Sequence, residues 1–328
     1  MKIIRIQYIT LLFAILILSC KQNEQTKNGD YESTKIDSIY TPNIGGIKQA
    51  IKIKTDDSNK PVLLFLSGGP GASSMGISGS FTEILKSEFT IVEWDQRNVG
   101  RTLQLNKSPQ KPNVEMMSLD TYEVIKFTTK ELNKEKIHLL GSSWGNVLGF
   151  NVVKNHPELL HSYFAVNTVI NQLESDKILL KLLKQHYRND FIAIKELESI
   201  TIPFEKDEDL FYLWKWLLFK EGNKHVLTEN YKTGFLKWSK EWETVMKEVM
   251  NINLPTTLNQ VDCPIYFFAG KNDYLTSTEI TEKYFELLNA PKKKMIVFSN
   301  SSHGIHSSEP IKFQEEIIEI VKSNRHSE

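Results

Sequence analysis

Two adjacent serines stand between glycines in the stretch KIHLLGSSWGNVLGF, residues 136–150. The pattern GxSxG marks a sharp turn from a strand into a helix, in which small residues on either side of a serine let the two backbones pass each other. Ser143 has Gly141 two positions before it and Gly145 two positions after it, whereas Ser142 has larger residues at these offsets. Ser143 is therefore the predicted nucleophile.

The partners that such a serine requires are found later in the chain. A serine hydroxyl is a weak nucleophile and needs a histidine base that a carboxylate orients. After a GxSxG turn the acid precedes the histidine, and each follows a later strand. Asp273, in FFAGKNDYLTS, lies just past an apolar run and is the predicted acid, with an ordinary turn residue as its alternative role. His303, in VFSNSSHGIHSSEP, follows the last apolar run and is the predicted base, in preference to His306.

The two histidines also form an HxxH pattern, which in a helix places two imidazoles on one side and is found in metal sites. The serines, glycine and proline around His303 and His306 argue against a helix there, and no third ligand stands out. We therefore expect a triad that uses neither a metal nor an organic cofactor.

A glycine-rich segment, SGGPG at Ser67–Gly71, follows the apolar run PVLLFL. Backbone N–H groups in such a loop can stabilise the charge on a carbonyl oxygen under attack, and the amide of Trp144 is the expected second donor. A phosphate-binding loop is the alternative, but the segment lacks the lysine of a P-loop and the spacing of a dinucleotide fingerprint. An oxyanion hole is the favoured interpretation.

The elements that must position these residues alternate along the chain. Buried strands are indicated by EFTIVEWD, KIHLLG, SYFAVN, CPIYFFAG and KMIVFSN, and helices by SLDTYEVIKFTTKEL, GNVLGFNVVKNHPELL and EPIKFQEEIIEIVK. This alternation predicts an α/β fold with a doubly wound, mostly parallel sheet, formed by residues 37–169 and 262–328. Residues 170–261 show helical spacing without a core strand. They are expected to form an inserted helical cap, whose tryptophans mainly hold its helices together.

The amino terminus has the layout of an export signal. Lys2 and Arg5 precede an apolar run that leads to Cys20, and a polar stretch follows at once. Because this layout resembles a bacterial lipoprotein signal, we expect residues 1–20 to be that signal, Cys20 to be lipidated and residues 21–36 to be a flexible tether. The protein is then exported and anchored to a membrane of the bacterial cell envelope. An uncleaved transmembrane anchor is the alternative, but a span needs about twenty apolar residues.

The charge balance limits the classes of binding partner, and the cysteine count limits the possible disulfides. The 40 basic and 40 acidic residues of the 328-residue chain cancel, without a long block of one sign. Nothing in the sequence therefore favours nucleic acid as a partner. If Cys20 carries lipid, Cys263 is left alone for any disulfide, and its place in an apolar run indicates a small core residue.

The sequence resembles the α/β-hydrolase fold and, within it, the proline iminopeptidase group of aminopeptidases. The segments that carry this resemblance are SGGPG, EWDQRNVGRT, GSSWG, AGKND and the stretch from SSH to EP. The resemblance covers residues 45–165 and 260–325. The site residues that it implies are the nucleophile Ser143, the acid Asp273, the base His303 and the oxyanion-hole amides of Gly69 and Trp144. Asp95 and Arg97 match the DQR of that group, where a structural role is expected.

The chain departs from the family pattern at Ser67, where the family has histidine, and at Asn98, where it has glycine. In these aminopeptidases, carboxylates supplied partly by the cap hold the free ammonium group of the substrate. Glu241 and Glu243, in KWSKEWETV, are the expected counterparts here.

The resemblance implies a serine hydrolase that acts through an acyl-enzyme and releases an amino-terminal proline, or another small residue, from short peptides. A carboxylesterase with the same triad is one alternative. A non-catalytic lipoprotein that binds a ligand or partner on a hydrolase scaffold is the other.

Overall fold

The structure is a computed structural model and describes residues 33–325. The expected lipoprotein signal, with Cys20, and most of the expected tether lie outside the described residues. Among residues 33–325, no helix combines the length and apolar character that a membrane crossing requires. Cys263 is buried with a free thiol, as expected of a small core residue.

Eight of the strands in the described part of the chain form one sheet, and two form a separate small sheet. In chain order the strands are β1 (Ile36–Tyr40), β2 (Asn43–Ile44), β3 (Ile47–Lys48), β4 (Ile51–Thr55), β5 (Val62–Leu66), β6 (Thr90–Trp94), β7 (Ile137–Ser142), β8 (Leu160–Val166), β9 (Ile265–Gly270) and β10 (Lys293–Phe298). The large sheet has the order β1-β4-β6-β5-β7-β8-β9-β10. Every pair from β6 to β10 in that order is parallel, whereas β1 with β4 and β4 with β6 are antiparallel. The predicted mostly parallel sheet is confirmed.

Helices connect these strands and cover the sheet. In chain order they are α1 (Gly79–Thr82), α2 (Gly100–Leu105), α3 (Val114–Glu131), α4 (Gly145–Asn155), α5 (Gln172–His186), α6 (Phe191–Glu198), α7 (Asp207–Lys220), α8 (Glu229–Glu241), α9 (Glu243–Val249), α10 (Leu254–Thr257), α11 (Thr278–Leu287), α12 (Ile305–Ser308) and α13 (Pro310–Arg325). Short 3₁₀ helices lie at Leu85–Ser87, Pro157–Leu159 and Lys224–Leu227. Helices α5 to α10 all lie between β8 and β9, in the stretch predicted to form the cap.

The apolar residues of strand β5 form a continuous run, rather than alternating with polar residues, because both faces of the strand are buried. Leu64 and Leu66 belong to the hydrophobic cluster on one face of the sheet, and Leu63 and Phe65 belong to the cluster on the other face. The first cluster includes residues of α3, α4 and α11, and the second includes residues of α13. Both faces of the sheet are therefore buried, which is the usual state of parallel strands.

The cap packs largely around its own apolar residues. Leu179, Leu213 and Trp216 are buried together in a cluster formed by α5, α6 and α7. Trp242, in contrast, is buried in the main cluster beside the sheet. Trp238 reaches the glycine-rich loop, because its Nε1 atom donates a hydrogen bond of 2.8 Å to the carbonyl of Pro70. The tryptophans thus hold the cap together and also tie it to the sheet.

The loops after β5, β7, β9 and β10 leave the sheet at the same edge because these strands are parallel. The chain continues from β5 to β6 on one side, whereas β7 lies on the other side of β5. A reversal of this kind leaves a crevice at the carboxyl ends of the strands, where α/β proteins bind their ligands. The loops at this edge carry Ser67–Gly71, Ser143, Asp273 and His303.

Candidate active site

Ser143 occupies the tight turn between β7 and α4. Its backbone lies in the left-handed region, with φ +53°. A Cβ atom at Gly141 would lie 2.5 Å from the hydroxyl of Tyr163, and a Cβ atom at Gly145 would lie 2.1 Å from the carbonyl oxygen of Leu66. Both glycines are therefore required by close contacts, and the turn holds the serine in a conformation that non-glycine residues rarely adopt.

Ser143, His303 and Asp273 form a continuous chain of hydrogen bonds. The Nε2 atom of His303 lies 2.9 Å from Ser143 Oγ, and its Nδ1 atom lies 2.9 Å from Asp273 Oδ2. With its proton on Nδ1, a neutral imidazole donates to the carboxylate and leaves Nε2 free to accept the serine proton. The structure thus brings the three predicted residues together in the order that deprotonation of the hydroxyl requires.

The carboxylate of Asp273 is buried and accepts several hydrogen bonds. Its Oδ1 accepts from the backbone N–H groups of Leu275 and Thr276, each at 3.0 Å, and its Oδ2 accepts from the Asn167 amide at 2.6 Å. Burial raises the pKa of Asp273, but the charge of His303 and the hydrogen bonds from His303 and Asn167 outweigh it. The pKa of the carboxyl group is held well below its usual range, so it stays ionised beside the imidazole.

The two candidate histidines lie in different surroundings. Burial lowers the pKa of His303, but the charge of Asp273 and its hydrogen bond outweigh burial, and the charge of Glu221 adds to them, so the pKa is raised above 6.5. His306 packs against Phe81, with ring centres 4.8 Å apart. Burial, followed by the charge of His303, lowers the pKa of His306. Within residues 33–325, His303 is the histidine that is hydrogen-bonded to Asp273.

The loop Ser67–Gly71 passes directly beside Ser143. A Cβ atom at Gly68 would lie 3.3 Å from the Cβ of Ser143, and Gly69 has φ +117°. Gly69 and Trp144 line the same small cavity as Ser143. Their backbone N–H groups donate no hydrogen bond to any residue in 33–325. Both amides expected in the oxyanion hole are therefore unoccupied by protein acceptors.

Gln96 connects the two sides of the expected oxyanion hole. Its Nε2 atom donates a hydrogen bond of 3.1 Å to the carbonyl of Ser67, and its Oε1 atom accepts one of 2.9 Å from Nε1 of Trp144. The side chain is completely buried. Gln96 thus links the glycine-rich loop to Trp144, the residue after Ser143, a role that the DQR motif alone did not reveal.

The neighbours of Gln96 in the DQR motif make structural contacts. Two guanidinium nitrogens of Arg97 each lie 2.8 Å from an oxygen of Asp120, and both side chains are buried. The carboxylate of Asp95 accepts hydrogen bonds from the Ser73 hydroxyl and from the backbone N–H of Arg101. Both residues thus brace the loops beneath the site, and neither reaches the triad.

Two cavities meet at Ser143. The larger has a volume of about 400 Å³ and is lined mainly by apolar side chains, together with His303 and Glu221. The smaller has a volume of about 40 Å³, which is room for about three water molecules. Trp144 and Asp176 line the smaller cavity, and His303 lines only the larger one.

Asp176, on helix α5, is the acidic residue in the wall of the small cavity. Its side chain accepts a hydrogen bond of 2.9 Å from Gln172, and it forms no ion pair with any residue in the described part of the chain. Burial raises the pKa of Asp176 to about 7, against the smaller opposing effect of the hydrogen bond from Gln172. A buried carboxylate without a cation is costly, and a positive charge bound beside it would favour its ionised form.

Neither of the expected substrate-binding glutamates lines a cavity beside Ser143. Glu241 lies 3.6 Å from Lys107 and accepts a hydrogen bond from Asn98, and Glu243 pairs with Lys240 and Lys247. Both occupy the ends of helices where lysines neutralise them. The cap carboxylates that reach the cavities are Asp176 and Glu221.

The sequence does contain a signal for Asp176. Positions 172, 176, 179 and 183 lie on one buried face of α5, and apolar residues occupy the last two of them. An acidic residue in such a stripe is unusual, because charged side chains normally face solvent.

The α/β-hydrolase fold family matches residues 61–310, a range that includes the whole triad. The chain belongs to the α/β-hydrolase family. This hydrolase is 28% identical over 294 residues to the "Probable aminopeptidase YbaC" of Bacillus subtilis strain 168, covering 82% of this chain and 92% of that protein. It is 24% identical over 277 residues to a proline iminopeptidase of Heyndrickxia coagulans, covering 81% and 92% respectively. The predicted similarity to proline iminopeptidases is confirmed.

Solved structures show the same fold at lower identity. The proline iminopeptidase of Mycobacterium smegmatis superimposes on the hydrolase with a TM-score of 0.65 at 19% identity, covering 87% of this chain and 98% of that one. A thermophilic esterase from Thermogutta terrifontis superimposes with a TM-score of 0.56 at 17% identity, covering 89% and 99%. The shared scaffold therefore carries both kinds of enzyme.

Proposed function

We propose that this hydrolase uses Ser143 as a nucleophile and releases a small amino-terminal residue, such as proline, from short peptides. The hydrogen-bonded chain of Ser143, His303 and Asp273 supports serine chemistry. The buried and unpaired carboxylate of Asp176, in the small cavity beside that serine, supports a substrate with a free amino group. This second observation carries the choice of an aminopeptidase.

The chemistry follows from the positions of the side chains. His303 Nε2 accepts the proton of Ser143 Oγ, and the resulting alkoxide attacks the carbonyl carbon of the substrate. The N–H groups of Gly69 and Trp144 stabilise the negative charge on the carbonyl oxygen. His303 then donates its Nε2 proton to the departing nitrogen, and the C–N bond breaks to leave an acyl-enzyme. A water molecule, deprotonated by the same imidazole, hydrolyses the ester of Ser143.

The Asp273 carboxylate orients His303 and stabilises the imidazolium that forms in each step. Its many hydrogen-bond donors keep it ionised, so it does not take the proton itself. The proposed reaction uses side chains and backbone amides of this chain together with one water molecule.

An α-ammonium group gives Asp176 the cation that it lacks. The small cavity places that carboxylate beside Ser143, where the first residue of a peptide would lie once its carbonyl carbon reaches the hydroxyl. Binding of the ammonium group lowers the pKa of Asp176 below about 7, because an opposite charge favours the ionised form. The names of the aminopeptidase and proline iminopeptidase relatives agree with this class of substrate.

A carboxylesterase is the second candidate, and the larger cavity favours it. The walls of that cavity are mostly apolar, as they would be for an acyl chain or an aromatic alcohol. An esterase of this kind would have no use for the carboxylate of Asp176, which costs stability when it is buried.

The decisive assay compares substrates that differ only in the amino group. The full-length protein is tested with prolyl and alanyl naphthylamides, with their N-acetylated forms and with short-chain nitrophenyl esters. We expect the free-amine amides to be hydrolysed and acetylation to reduce kcat/KM at least about a hundredfold, since it leaves Asp176 without a cation. Ester turnover without turnover of any free-amine amide would establish the esterase instead.

Asp176→Asn provides the matched variant, because it keeps the size of the side chain and removes its charge. We expect it to lose free-amine amide turnover and to keep ester turnover. Glu221→Gln is the comparison for the other cap carboxylate. If Glu221→Gln rather than Asp176→Asn loses amide turnover, the ammonium group binds in the larger cavity.

For the amino terminus we propose an exported lipoprotein anchored through Cys20. The support is the sequence pattern of basic residues, an apolar run and a cysteine that a polar tether follows. Mass spectrometry of the mature protein should find an acylated cysteine at its amino terminus. An unmodified Cys20, or cleavage at another position, would rule out the anchor.

A further inference from the structure

The two cavities beside Ser143 differ in which catalytic group they contact. His303 lines the larger cavity, whereas Trp144 and Asp176 line the smaller one. Gly69 and Ser143 line both, so the cavities meet where the carbonyl carbon must lie. A substrate that spans this point has one part in each cavity.

The position of His303 decides which part lies where. After it takes the serine proton, the imidazole must donate a proton to the departing nitrogen, so the leaving group has to approach His303 Nε2. The larger cavity is the one that His303 lines, and it therefore faces the leaving group. The acyl part, with its ammonium group, is left with the small cavity and Asp176.

The larger cavity has the size and surface for a bulky apolar group. Its volume of about 400 Å³ is about ten times that of the small cavity. Its apolar lining includes Phe65, Phe81, Leu140, Val166, Leu217 and Leu218. Apolar surface that such walls remove from water stabilises binding in proportion to its area.

Glu221 is the acidic residue in the wall of this cavity. It is exposed, and its charge acts on His303, since it contributes to the raised pKa of that imidazole. A negative charge there repels the free carboxylate at the carboxyl terminus of a dipeptide.

We infer that the larger cavity is the binding site for the second residue of the peptide, and that it selects a large apolar side chain followed by a neutral group. This inference rests on the proposed aminopeptidase function and adds its substrate class. The preferred substrates are peptides in which a small first residue precedes a large apolar second residue, with further residues or an amide cap after it.

The test uses dipeptide amides with the full-length protein. Prolyl-glycine amide, prolyl-leucine amide and prolyl-phenylalanine amide vary only the second residue, and alanyl-, leucyl- and phenylalanyl-glycine amides vary only the first. We expect kcat/KM to rise at least ~30-fold from glycine to phenylalanine at the second position, since each well-buried methylene is worth about tenfold or more. At the first position we expect the rate to fall as the side chain grows.

A substitution in the wall of the large cavity tests the location. Leu218→Trp fills part of this cavity, and we expect it to reduce the preference for phenylalanine over glycine at the second position. Leu227→Trp is the matched control, because Leu227 is half exposed and lines neither cavity. The control should keep the preference of the unmodified protein.

The effect of the Glu221 charge is tested by comparing a dipeptide amide with the corresponding free acid. Prolyl-phenylalanine amide should be hydrolysed at least ~5-fold faster than the free acid, and Glu221→Gln should reduce this ratio, because the repulsion between two carboxylates is lost. Equal rates for the two substrates would contradict the role given to Glu221.

The possible results distinguish a failure of the cavity assignment from a failure of the proposed aminopeptidase function. Equal rates for all second residues, or a Leu218→Trp variant that changes the choice of the first residue instead, would overturn the assignment of the cavities while leaving an aminopeptidase. If esters are hydrolysed and no aminoacyl amide is, the proposed aminopeptidase function is wrong. The assignment of the two cavities then fails as well.

Discussion

The loops at the carboxyl edge of the sheet and the helical cap place their functional side chains by different physical means. At the sheet edge the backbone sets the position of the serine hydroxyl. Ser143 has a left-handed conformation, and there is no room for a side chain at Gly141 or Gly145. In the cap, Asp176 occupies a buried position on an otherwise ordinary amphipathic helix. Backbone geometry therefore positions the predicted nucleophile, whereas the rotation of a cap helix positions the carboxylate to which we assign substrate selection.

The two regions touch at the glycine-rich loop. Trp238 donates to the carbonyl of Pro70, and a Cβ atom at Gly71 would lie 2.7 Å from Nε1 of Trp242. The cap therefore packs directly on the loop that carries the Gly69 amide. Substitutions of the triad at the sheet edge should affect every substrate, whereas substitution of Asp176 in the cap should affect only substrates with a free amino group.

The largest expected effect at the sheet edge concerns the base. His303→Ala should lower kcat by about 10⁴-fold for esters and amides alike, because the serine loses its proton acceptor. Steady-state kinetics with both substrate types measures this. His306→Ala is the control, and a larger loss in that variant than in His303→Ala would move the base to His306.

The next effect belongs to the cap and should depend on the substrate. Asp176→Asn should lower kcat/KM for free-amine amides by at least about 10²-fold and leave the fold intact. It should also raise the thermal unfolding temperature at pH 8. Both outcomes follow from one cause, the buried carboxylate that has no cation until the substrate arrives.

The sign of the stability effect follows from the pKa of Asp176, which burial raises to about 7. Below about pH 3.8 the group is neutral in both states, and stability falls as the pH rises from there to about 7. Above pH 7 the full penalty applies, on the order of 4 kcal/mol from a pKa difference of this size. An unfolding temperature for Asp176→Asn that lies below that of the unmodified protein at pH 8 would show a purely structural role.

A smaller effect is expected where Gln96 links the two sides of the oxyanion hole. Gln96→Leu should lower kcat by about 10- to 100-fold for all substrates with little change in KM, because the amides of Gly69 and Trp144 lose their relative positions. The double variant with Trp144→Phe should cost less than the sum of the single variants, since each single variant already removes the hydrogen bond between Gln96 and Trp144. Additive losses would mean that Gln96 acts on something else.

The sheet and its reactive residues were predictable because each motif has a fixed place relative to a strand. GSSWG, Asp273 and His303 follow apolar runs that a parallel sheet brings to one edge, so their meeting follows from the order of the elements. Gln96 was not predicted, because its importance depends on two contacts, with Ser67 and Trp144, that lie far from it in sequence.

The cap was predictable only in outline. Its helical spacing and its place between two strands were evident, but which carboxylates reach the cavities depends on how the helices are rotated. Glu241 and Glu243 are the predicted partners of the ammonium group, yet both pair with lysines and neither lines a cavity beside Ser143. Asp176 was not predicted, although it shares a helix face with Leu179 and Leu183.

The smallest effect is a shift in pH dependence. His303 must be neutral to accept the serine proton, and its pKa is raised above 6.5, so ester kcat/KM should rise with pH through a midpoint above 6.5. Glu221→Gln should move that midpoint to lower pH, because the charge of Glu221 helps to raise the pKa of His303. A midpoint that does not move in the variant would remove the electrostatic contact between cap and base.

The most direct test of the central claim is covalent labelling of the nucleophile. A fluorophosphonate reacts with a serine only when a base activates it, and mass spectrometry of the labelled peptide identifies the residue. We expect the unmodified protein and Ser142→Ala to be labelled at Ser143, and Ser143→Ala to remain unlabelled. Labelling of Ser143→Ala, or a label on Ser142, would contradict the proposal that Ser143 and His303 carry out the reaction.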